Sequence, residues 1–423
     1  MSALADQKRL AAEALLSALP VPMEEASWAH DMRARARSRL LDAGAPVKRD
    51  EYWRYTDPAR LTAPMAVAGD AADAPSLEDF GPNVPTARFV NGAFRPDLSD
   101  PLGGPGMAAA QLGETLKQDI SIAREMFGVL ETAGQEKVAR PLAILNTATA
   151  TEGLVLQVTG ASAPVHIRSD QIGDGTSMLR HLIRVERDAE ITVLESGAAT
   201  NSVMEIDIAP GGTLHHVRMQ TGTRAPSVSH VFARVADDAT FKSFTLTADG
   251  ELTRNEVVMD LTGPDAVGHI AGAVLAEGDS HVDNTVFVTH SDVNGESRQV
   301  FKNVMGGKAK SIFQGKIFVR PGAQKTDGYQ ISQAVLLNDG AEFSAKPELE
   351  IYADDVACSH GSTTGALDPT AMFYLRSRGV PKAEAEAMLI AAFADEAISE
   401  IDDPELGDIM RAEVERWMAN RSG

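Results

Sequence analysis

The spacing of apolar residues predicts helices at the start of the chain. Apolar positions recur at helical intervals over residues 12–19 and again over 30–41, and a third short helix is predicted after Ile120. Between them, residues 88–94 alternate around Asn91-Gly92, which is typical of a β-hairpin with a two-residue turn. The small, acidic and proline-bearing segment 68–82 is interpreted as a linker or exposed loop. The chain therefore begins with a helix-rich region.

From residue 154 to 353 the period changes to the alternation of β-strands. Turn pairs such as Asn294-Gly295 and Asp339-Gly340 separate the runs, and no amphipathic helical window interrupts them. The predicted strands are 154–158, 181–185, 191–194, 214–219, 241–246, 256–261, 282–288, 298–304, 311–319 and 342–345. This all-β body could be a pair of sandwiches or a solenoid of stacked coils, and the faint repeat leaves both open. A solenoid needs its ends covered, and helical segments lie at both termini.

The helical period returns in the last part of the chain. Pro381 opens one predicted helix, and Asp403-Pro404 predicts the start of another. Residues 381–423 contain 11 Asp and Glu against four Lys and Arg. This excess of negative charge is interpreted either as a solvated face or as a docking surface for a basic partner.

Composition excludes several classes of function. A formal net charge of -21 argues against nucleic acid and against an anionic membrane surface, because both require clustered Lys and Arg. The single cysteine rules out an intrachain disulfide and any CxxC metal site made by this chain alone. No apolar run reaches the roughly 18 to 20 residues that span a bilayer, and the N-terminus does not read as a signal peptide. We therefore expect a cytoplasmic protein.

A possible phosphate loop at Gly306-Gly307-Lys308-Ala309 is rejected. The motif requires glycine where Lys302 stands, and Ala309 replaces the Ser or Thr that would bind magnesium. The sequence therefore predicts no ATP site in this chain.

The chemistry of the chain is concentrated where the β region ends. Cys358 and His360 precede a helix that Asp368 and Pro369 are predicted to start and Gly379 to end. Residues at i and i+2 share one face if the strand continues, so a thiol and an imidazole could project together. Both suit iron, but two ligands cannot hold a cluster. The plain alternative is a small buried cysteine beside a capping histidine.

This junction resembles the SufB/SufD family of Suf iron-sulfur cluster assembly proteins, and its SufD-like members in particular. The similar segments are Cys358-Ser359-His360-Gly361, Leu367-Asp368, residues 373–379 (FYLRSRG), 327–330 (DGYQ), 336–337 (LL), 345–351 (AKPELEI) and, more weakly, 51–56 (EYWRYT). For Trp53, inside the last of these segments, we predict a packing role.

The resemblance implies a mainly β fold. It favours a right-handed parallel β-helix, a solenoid, flanked by N-terminal and C-terminal α-helical regions. The corresponding parts are residues 1–150, helix-rich; 151–360, the β-helix core; and 361–423, helical.

The resemblance also implies a role as a non-catalytic scaffold. The chain would pair with SufB and dock the SufC ATPase through its acidic C-terminal helices, and a transient Fe-S cluster would form at the interface with SufB. Cys358 and His360 are the candidate cluster residues there. The candidate partner-binding residues are Phe373, Tyr374, Arg376, Arg378, Met388 and Phe393. SufB-like chains carry further cysteines, so the single cysteine favours the SufD type. The isolated chain could form a homodimer, and flavin binding is left open.

The alternative from another class is a structural or carbohydrate-binding β-helix. A β-helix enzyme that acts on carbohydrates needs clustered carboxylates on one β face. The pairs Asp237-Asp238 and Asp354-Asp355 are adjacent in sequence, so on a strand their side chains would point in opposite directions. Aromatic residues make up only 5% of the chain, which is poor for stacking on sugars.

Overall fold

The computed structural model describes residues 3–20, 22, 24–63, 65, 79–81, 83–222 and 225–421. Its centre is a parallel β-solenoid of about seven turns, so the mainly β prediction and the β-helix implied by the resemblance are confirmed. The predicted linker 68–82 lies outside the described residues, apart from 79–81.

The solenoid is built from strands that alternate between two sheets. In chain order the strands are β1 (Thr86–Val90), β2 (Ala93–Phe94), β3 (Met107–Gln111), β4 (Leu154–Val158), β5 (Val165–Asp170), β6 (Met178–Val185), β7 (Glu190–Gly197), β8 (Asn201–Ile208), β9 (Thr213–Thr221), β10 (Ser227–Val235), β11 (Thr240–Ala248), β12 (Leu252–Leu261), β13 (Val267–Ala276), β14 (His281–His290), β15 (Glu296–Met305), β16 (Lys310–Val319), β17 (Asp327–Leu336), β18 (Glu342–Ile351) and β19 (Ala357–Gly365). From β4 onward, even-numbered strands pair in parallel in one sheet and odd-numbered strands in the other.

The helices lie before β1, between β3 and β4, and after β19. They are α1 (Ala3–Ala18), α2 (Ser27–Ala43), α3 (Leu112–Thr115), α4 (Ala123–Met126), α5 (Val129–Ala133), α6 (Pro141–Thr149), α7 (Pro369–Ser377), α8 (Lys382–Ile398) and α9 (Pro404–Arg421), with short 3-10 turns at Glu51–Trp53, Pro58–Arg60 and Pro96–Leu98. None of the helices in the described ranges is long and apolar enough to cross a bilayer.

Each of the ten predicted strands lies inside an observed strand, but six solenoid strands were missed. The missed strands are β5, β8, β10, β13, β17 and β19. Strand β17 shows the reason: its lumen-facing positions include Gly328, Gln330 and Ser332, which are buried although they are polar or small. Because polar and small residues occupy its buried positions while Tyr329 and Ile331 lie on the half-buried outer face, apolar character does not follow burial, so hydrophobic periodicity cannot detect this strand.

The lumen between the two sheets holds the largest apolar core. Phe301 on β15 and Phe313 on β16 meet there from opposite sheets, with ring centroids 4.8 Å apart. The outer faces are covered by helices: α6 packs on β6 and β8, while α8 packs on β13 and β15. The helical regions therefore lie along the sides of the solenoid.

The segment containing Trp53 fastens the N-terminal region to the even-numbered sheet. The Trp53 ring is buried with the Arg254 guanidinium 4.1 Å from its centroid, which confirms the predicted packing role. Thr56 donates a hydrogen bond to Asp283 on β14, and Tyr52 donates one to Glu348 on β18. This short segment therefore reaches from the middle of the sheet to its last strand.

The two ends of the solenoid differ. At the N-terminal end, the hairpin of β1 and β2 continues one sheet and β3 pairs antiparallel with β4 in the other. The hairpin turn has Asn91 at φ 52° and Gly92 at φ 81°, as the Asn-Gly pair predicts. At the other end, β18 and β19 are the last strands of their sheets. The expectation that helices would cap both ends is wrong for this one, because α8 lies against the side of the solenoid.

Candidate functional site

The candidate site is the open end of the solenoid, formed by β18 and β19. Among the described residues, each strand pairs on one side only, β18 with β16 and β19 with β17. Almost all residues of β19 are exposed, and none of those in β18 is fully buried. An edge strand with unpaired amide and carbonyl groups is a template for adding a further strand.

Cys358 and His360 lie inside strand β19, whereas the sequence placed them at a strand-to-helix junction. Cys358 is in register with the buried Gly328, and His360 is in register with the buried Gln330. Both side chains are therefore on the lumen face of the last coil, with no further coil above them in the described chain. The strand continues through both residues, so the i and i+2 positions do share one face.

Cys358 is a half-buried free thiol. It packs against an apolar cluster that includes Ile317, Val319 and Leu349, and its Sγ lies 3.2 Å from the position that a Cβ on Gly328 would occupy. Burial raises the pKa of this thiol above its ordinary value, and the nearby charge of Asp327 acts in the same direction. The residue is therefore held mainly as a thiol at neutral pH until a metal or a cation displaces the proton.

His360 is exposed, but it stands over a buried polar column. In the coil below, Gln330 donates from Nε2 to Oε1 of Gln299, 2.7 Å away. Both glutamines are fully buried on the lumen face. Sequence reasoning did not assign a role to Gln330, although the segment that contains it, residues 327–330, was one of those similar to the family.

The helix after the site begins as predicted. Asp368 caps it by accepting a hydrogen bond from the Thr370 amide at 2.8 Å, Pro369 is its first residue, and Gly379 follows its end with φ 89°. The sequence signals that start and end this helix therefore act locally.

The candidate partner-binding residues divide into an exposed group and one packed residue. Phe373 and Tyr374 on α7 are 74% and 55% exposed, and Met388 on α8 is 48% exposed. The exposed Arg376 and Arg378 lie on and just after α7, and the Arg378 guanidinium is 4.7 Å from the Tyr374 ring. Phe393, by contrast, is half-buried against the apolar cluster between α8 and the odd-numbered sheet, with Lys302 4.8 Å from its ring.

Part of the acidic charge of the C-terminal helices faces the solenoid. Lys302 pairs with Glu396, and Lys242 lies 2.8 Å from Asp402. His269 lies 3.3 Å from Glu400. These carboxylates fasten α8 and the α8–α9 turn to the outer face of the odd-numbered sheet. Exposed carboxylates remain at Glu384, Glu405, Asp408 and Glu415.

The other sequence candidates lie in turns. The amides of Gly306 and Lys308 donate to the carbonyls of Ala276 and Gly278 in the coil below, so this turn does not present them to a phosphate. Asp237-Asp238 and Asp354-Asp355 also lie in turns between strands, whereas the sequence argument treated both pairs as strand residues. Across the described ranges, no group of three or more His, Cys, Asp or Glu side chains is arranged to hold a metal ion.

Comparison with known proteins identifies the family of this chain. A family model described as SUF system FeS cluster assembly, SufBD core domain, matches residues 167–393. The iron-sulfur cluster assembly protein SufD of Escherichia coli K12 is 28% identical over 390 residues, covering 89% of this chain and 90% of the relative. A SufBD family protein of Synechocystis is 28% identical over 397 residues, covering 87% and 86%. SufD of Bacillus subtilis is 24% identical over 404 residues, covering 89% and 91%.

The family model spans more than half of the chain, from β5 to α8, and so includes the open end and both of its candidate residues. The chain belongs to the SufBD family of Suf iron-sulfur cluster assembly proteins and is SufD-like.

Proposed function

We propose that this chain is a non-catalytic scaffold subunit that pairs with a SufB-like subunit through its open end, so that a nascent Fe-S cluster forms between the two. The observation that carries the proposal is the pair of edge strands, β18 and β19, each open on one side in the described part of the chain, with Cys358 and His360 on the lumen face of the second. A partner that adds strands there would cover both side chains and exclude water from them.

The donor set supports a shared cluster in particular. A thiol and an imidazole are both ligands for iron, but a cluster takes about four protein ligands, so the remaining ligands would come from the partner. The cluster is cargo here, assembled and then passed on. Because burial raises the pKa of the Cys358 thiol, His360 is the more available ligand or proton carrier of the two.

The same proposal gives the C-terminal helices a second partner, the SufC-like ATPase. The exposed Phe373, Tyr374 and Met388 would supply the apolar part of that surface, and the carboxylates that do not face the solenoid would supply its charge.

Without a SufB-like chain, the open end could pair with a second copy of itself, which gives the proposed homodimer. The assembly would work in the cytoplasm. A chain with a single cysteine fits this reducing compartment, because it can form no intrachain disulfide. The division of the chain into a helix-rich region at 1–150, a β-helix core at 151–360 and a helical region at 361–423 stays a prediction.

The test is the cluster content of the purified complex of this chain with SufB-like and SufC-like subunits. We expect His360→Ala to lose most of the cluster while the complex forms in normal yield with an unchanged melting temperature. Cys358→Ser should cause a smaller loss, because it nearly preserves volume and removes a thiol that is mostly protonated. His30→Ala is the control, since His30 lies on α2, which packs on α6 at the β6 and β8 part of the even-numbered sheet.

Normal cluster content in His360→Ala would overturn the cluster role of the open end. A loss of cluster in strict proportion to a loss of folded protein would also count against it, because a residue that only packs acts through stability.

A further inference from the structure

The two buried glutamines beneath His360, Gln330 and Gln299, are joined by a hydrogen bond that runs in one direction. Gln299, Gln330 and His360 occupy the same register position on β15, β17 and β19, so each side chain lies one strand spacing, about 4.8 Å, from the next. Stacked carboxamides form a ladder in which each donates on one side and accepts on the other. Here Gln330 donates its Nε2 hydrogen toward Gln299, in the deeper coil.

This direction leaves the acceptor of Gln330 free. Its Oε1 has no hydrogen-bond partner among the described residues, although the side chain is fully buried. The amide also reaches across the lumen, because a Cβ on Gly315 of the opposite strand would collide with Gln330 Nε2. With Nε2 occupied by Gln299 below, the carbonyl oxygen lies on the other arm of the amide. The coil above carries His360 at the matching position.

We propose that Gln330 is a positioning residue for His360, whose imidazole N–H it accepts through its free Oε1. This inference rests on the proposed function, in which His360 meets the nascent cluster. The exposed imidazole turns between rotamers readily, and the hydrogen bond would hold one of them. It would also satisfy a buried carbonyl group that is otherwise costly to leave unpaired.

The consequence of this hydrogen bond is a fixed tautomer. A neutral imidazole that donates one N–H to the Gln330 oxygen keeps its lone pair on the other nitrogen, which then points out of the lumen toward the partner. Metal-binding histidines commonly donate their second nitrogen to a carbonyl or carboxylate in this way, and that contact fixes the ring and raises its basicity. Gln330 would thus prepare His360 without touching the cluster.

The experiment is 15N NMR of the histidine side chains in the full chain at about pH 8, above the ordinary imidazole pKa of about 6.5. The spectrum of His360→Ala assigns the His360 signals. We expect one dominant tautomer in the natural sequence and a mixture in Gln330→Met and Gln330→Asn, which lack or withdraw the acceptor. Gln330→Glu keeps an acceptor oxygen and should keep the tautomer.

Gln220→Met is the matched control. Gln220 on β9 is also a fully buried glutamine whose Oε1 has no hydrogen-bond partner among the described residues, but it lies several coils away from His360, so its loss should leave the His360 tautomer as it was. In the complex, cluster content should fall severalfold in Gln330→Met, recover in Gln330→Glu and stay normal in Gln220→Met. An identical His360 tautomer in the natural sequence and in folded Gln330→Met or Gln330→Asn would overturn the proposal. Normal cluster content in His360→Ala would instead refute the proposed function, while the tautomer result would still test the contact.

Discussion

Nδ1 of His269 on β13 lies 3.3 Å from Oε2 of Glu400, the carboxylate just beyond the end of α8. The other ring nitrogen of His269 lies 3.2 Å from Glu296 on β15. One imidazole thus joins two strands of the solenoid to the C-terminal helical hairpin of α8 and α9. The nearby His269 ring lowers the pKa of Glu400, which favours the charged carboxylate at this contact.

The first prediction is that this contact holds the hairpin in place. His269→Ala and Glu400→Gln should each speed amide hydrogen exchange at residues 396–406, because the α8–α9 turn loses an anchor. A double-mutant cycle should give a coupling of about 0.5 to 1 kcal/mol in the free energy of unfolding, as for partly exposed ion pairs. Arg376→Ala, on the exposed side of α7, is the control. Equal exchange rates in all variants would contradict the prediction.

A second prediction concerns the acidic docking surface for the SufC-like ATPase. Deleting residues 381–423 would be a poor test, because the hairpin packs on the solenoid through buried residues such as Ile390 and Trp417. Charge reversal at the exposed Glu384, Glu405 and Glu415 leaves that packing intact. We expect the affinity for the ATPase to fall at least about tenfold at low salt and the difference to shrink as salt screens the charges.

The matched control for charge reversal is the same change on the other side of the molecule. Asp6, Asp31 and Asp42 are exposed on α1 and α2, and reversing them alters the net charge equally. If binding measured by titration falls as much with this control as with the C-terminal variant, the effect is one of net charge and no acidic docking surface is needed.

The third prediction depends on which backbone amides of β19 face the neighbouring strand β17 and which face the open edge. The Ala357 amide donates to the carbonyl of Thr326, just before β17. In this parallel strand the amides of odd-numbered residues therefore face β17, and those of even-numbered residues face the open edge. Thr364→Pro therefore removes an outward amide alone. It should weaken pairing with the SufB-like subunit by about tenfold, equivalent to about 1.4 kcal/mol, and leave the melting temperature nearly unchanged.

Thr363→Pro is the internal comparison for that variant. It removes an amide that faces β17, and we expect it to lower the free energy of unfolding by about 1 to 3 kcal/mol. Size-exclusion chromatography of the mixed subunits and thermal melts of the single chain measure the two effects. Full pairing with Thr364→Pro would show that the open end does not bind its partner through this part of the strand.

The fourth prediction is a loss of stability in mild acid. Burial lowers the pKa of four histidines to about 4, namely His166, His181, His230 and His290. They are neutral in the folded chain, whereas in the unfolded chain they take up protons below about pH 6.5. The unfolded state therefore binds more protons between about pH 6.5 and 4, and stability falls as the pH falls through that window.

Chemical denaturation at a series of pH values measures this slope. Each of these histidines contributes up to about 1.4 kcal/mol per pH unit within the window. His290→Gln should make the slope shallower, since burial alone shifts its pKa. A free energy of unfolding that stays constant from about pH 7 to 5 would refute the prediction.

Features that depend on a few neighbouring residues were predictable from the sequence. Asp368, Pro369 and Gly379 define the helix after the site because capping and backbone conformation are decided locally. Asn91 and Gly92 define the hairpin for the same reason. The strands with alternating residues were found, whereas β17 and β19 were not. The residue pattern of these two strands depends on their contacts with neighbouring coils of the solenoid, which are distant in the sequence.

The sequence by itself determined the chemistry available at the site: one thiol, one imidazole two residues away, and no second cysteine. Only the tertiary structure decided that both lie on the lumen face of an open end and that the acidic helices lie along the side of the solenoid. It also placed Gln330 directly beneath His360, although 30 positions separate them in the sequence. Stacking coils bring such residues together through backbone pairing in register, and no local pattern records that register.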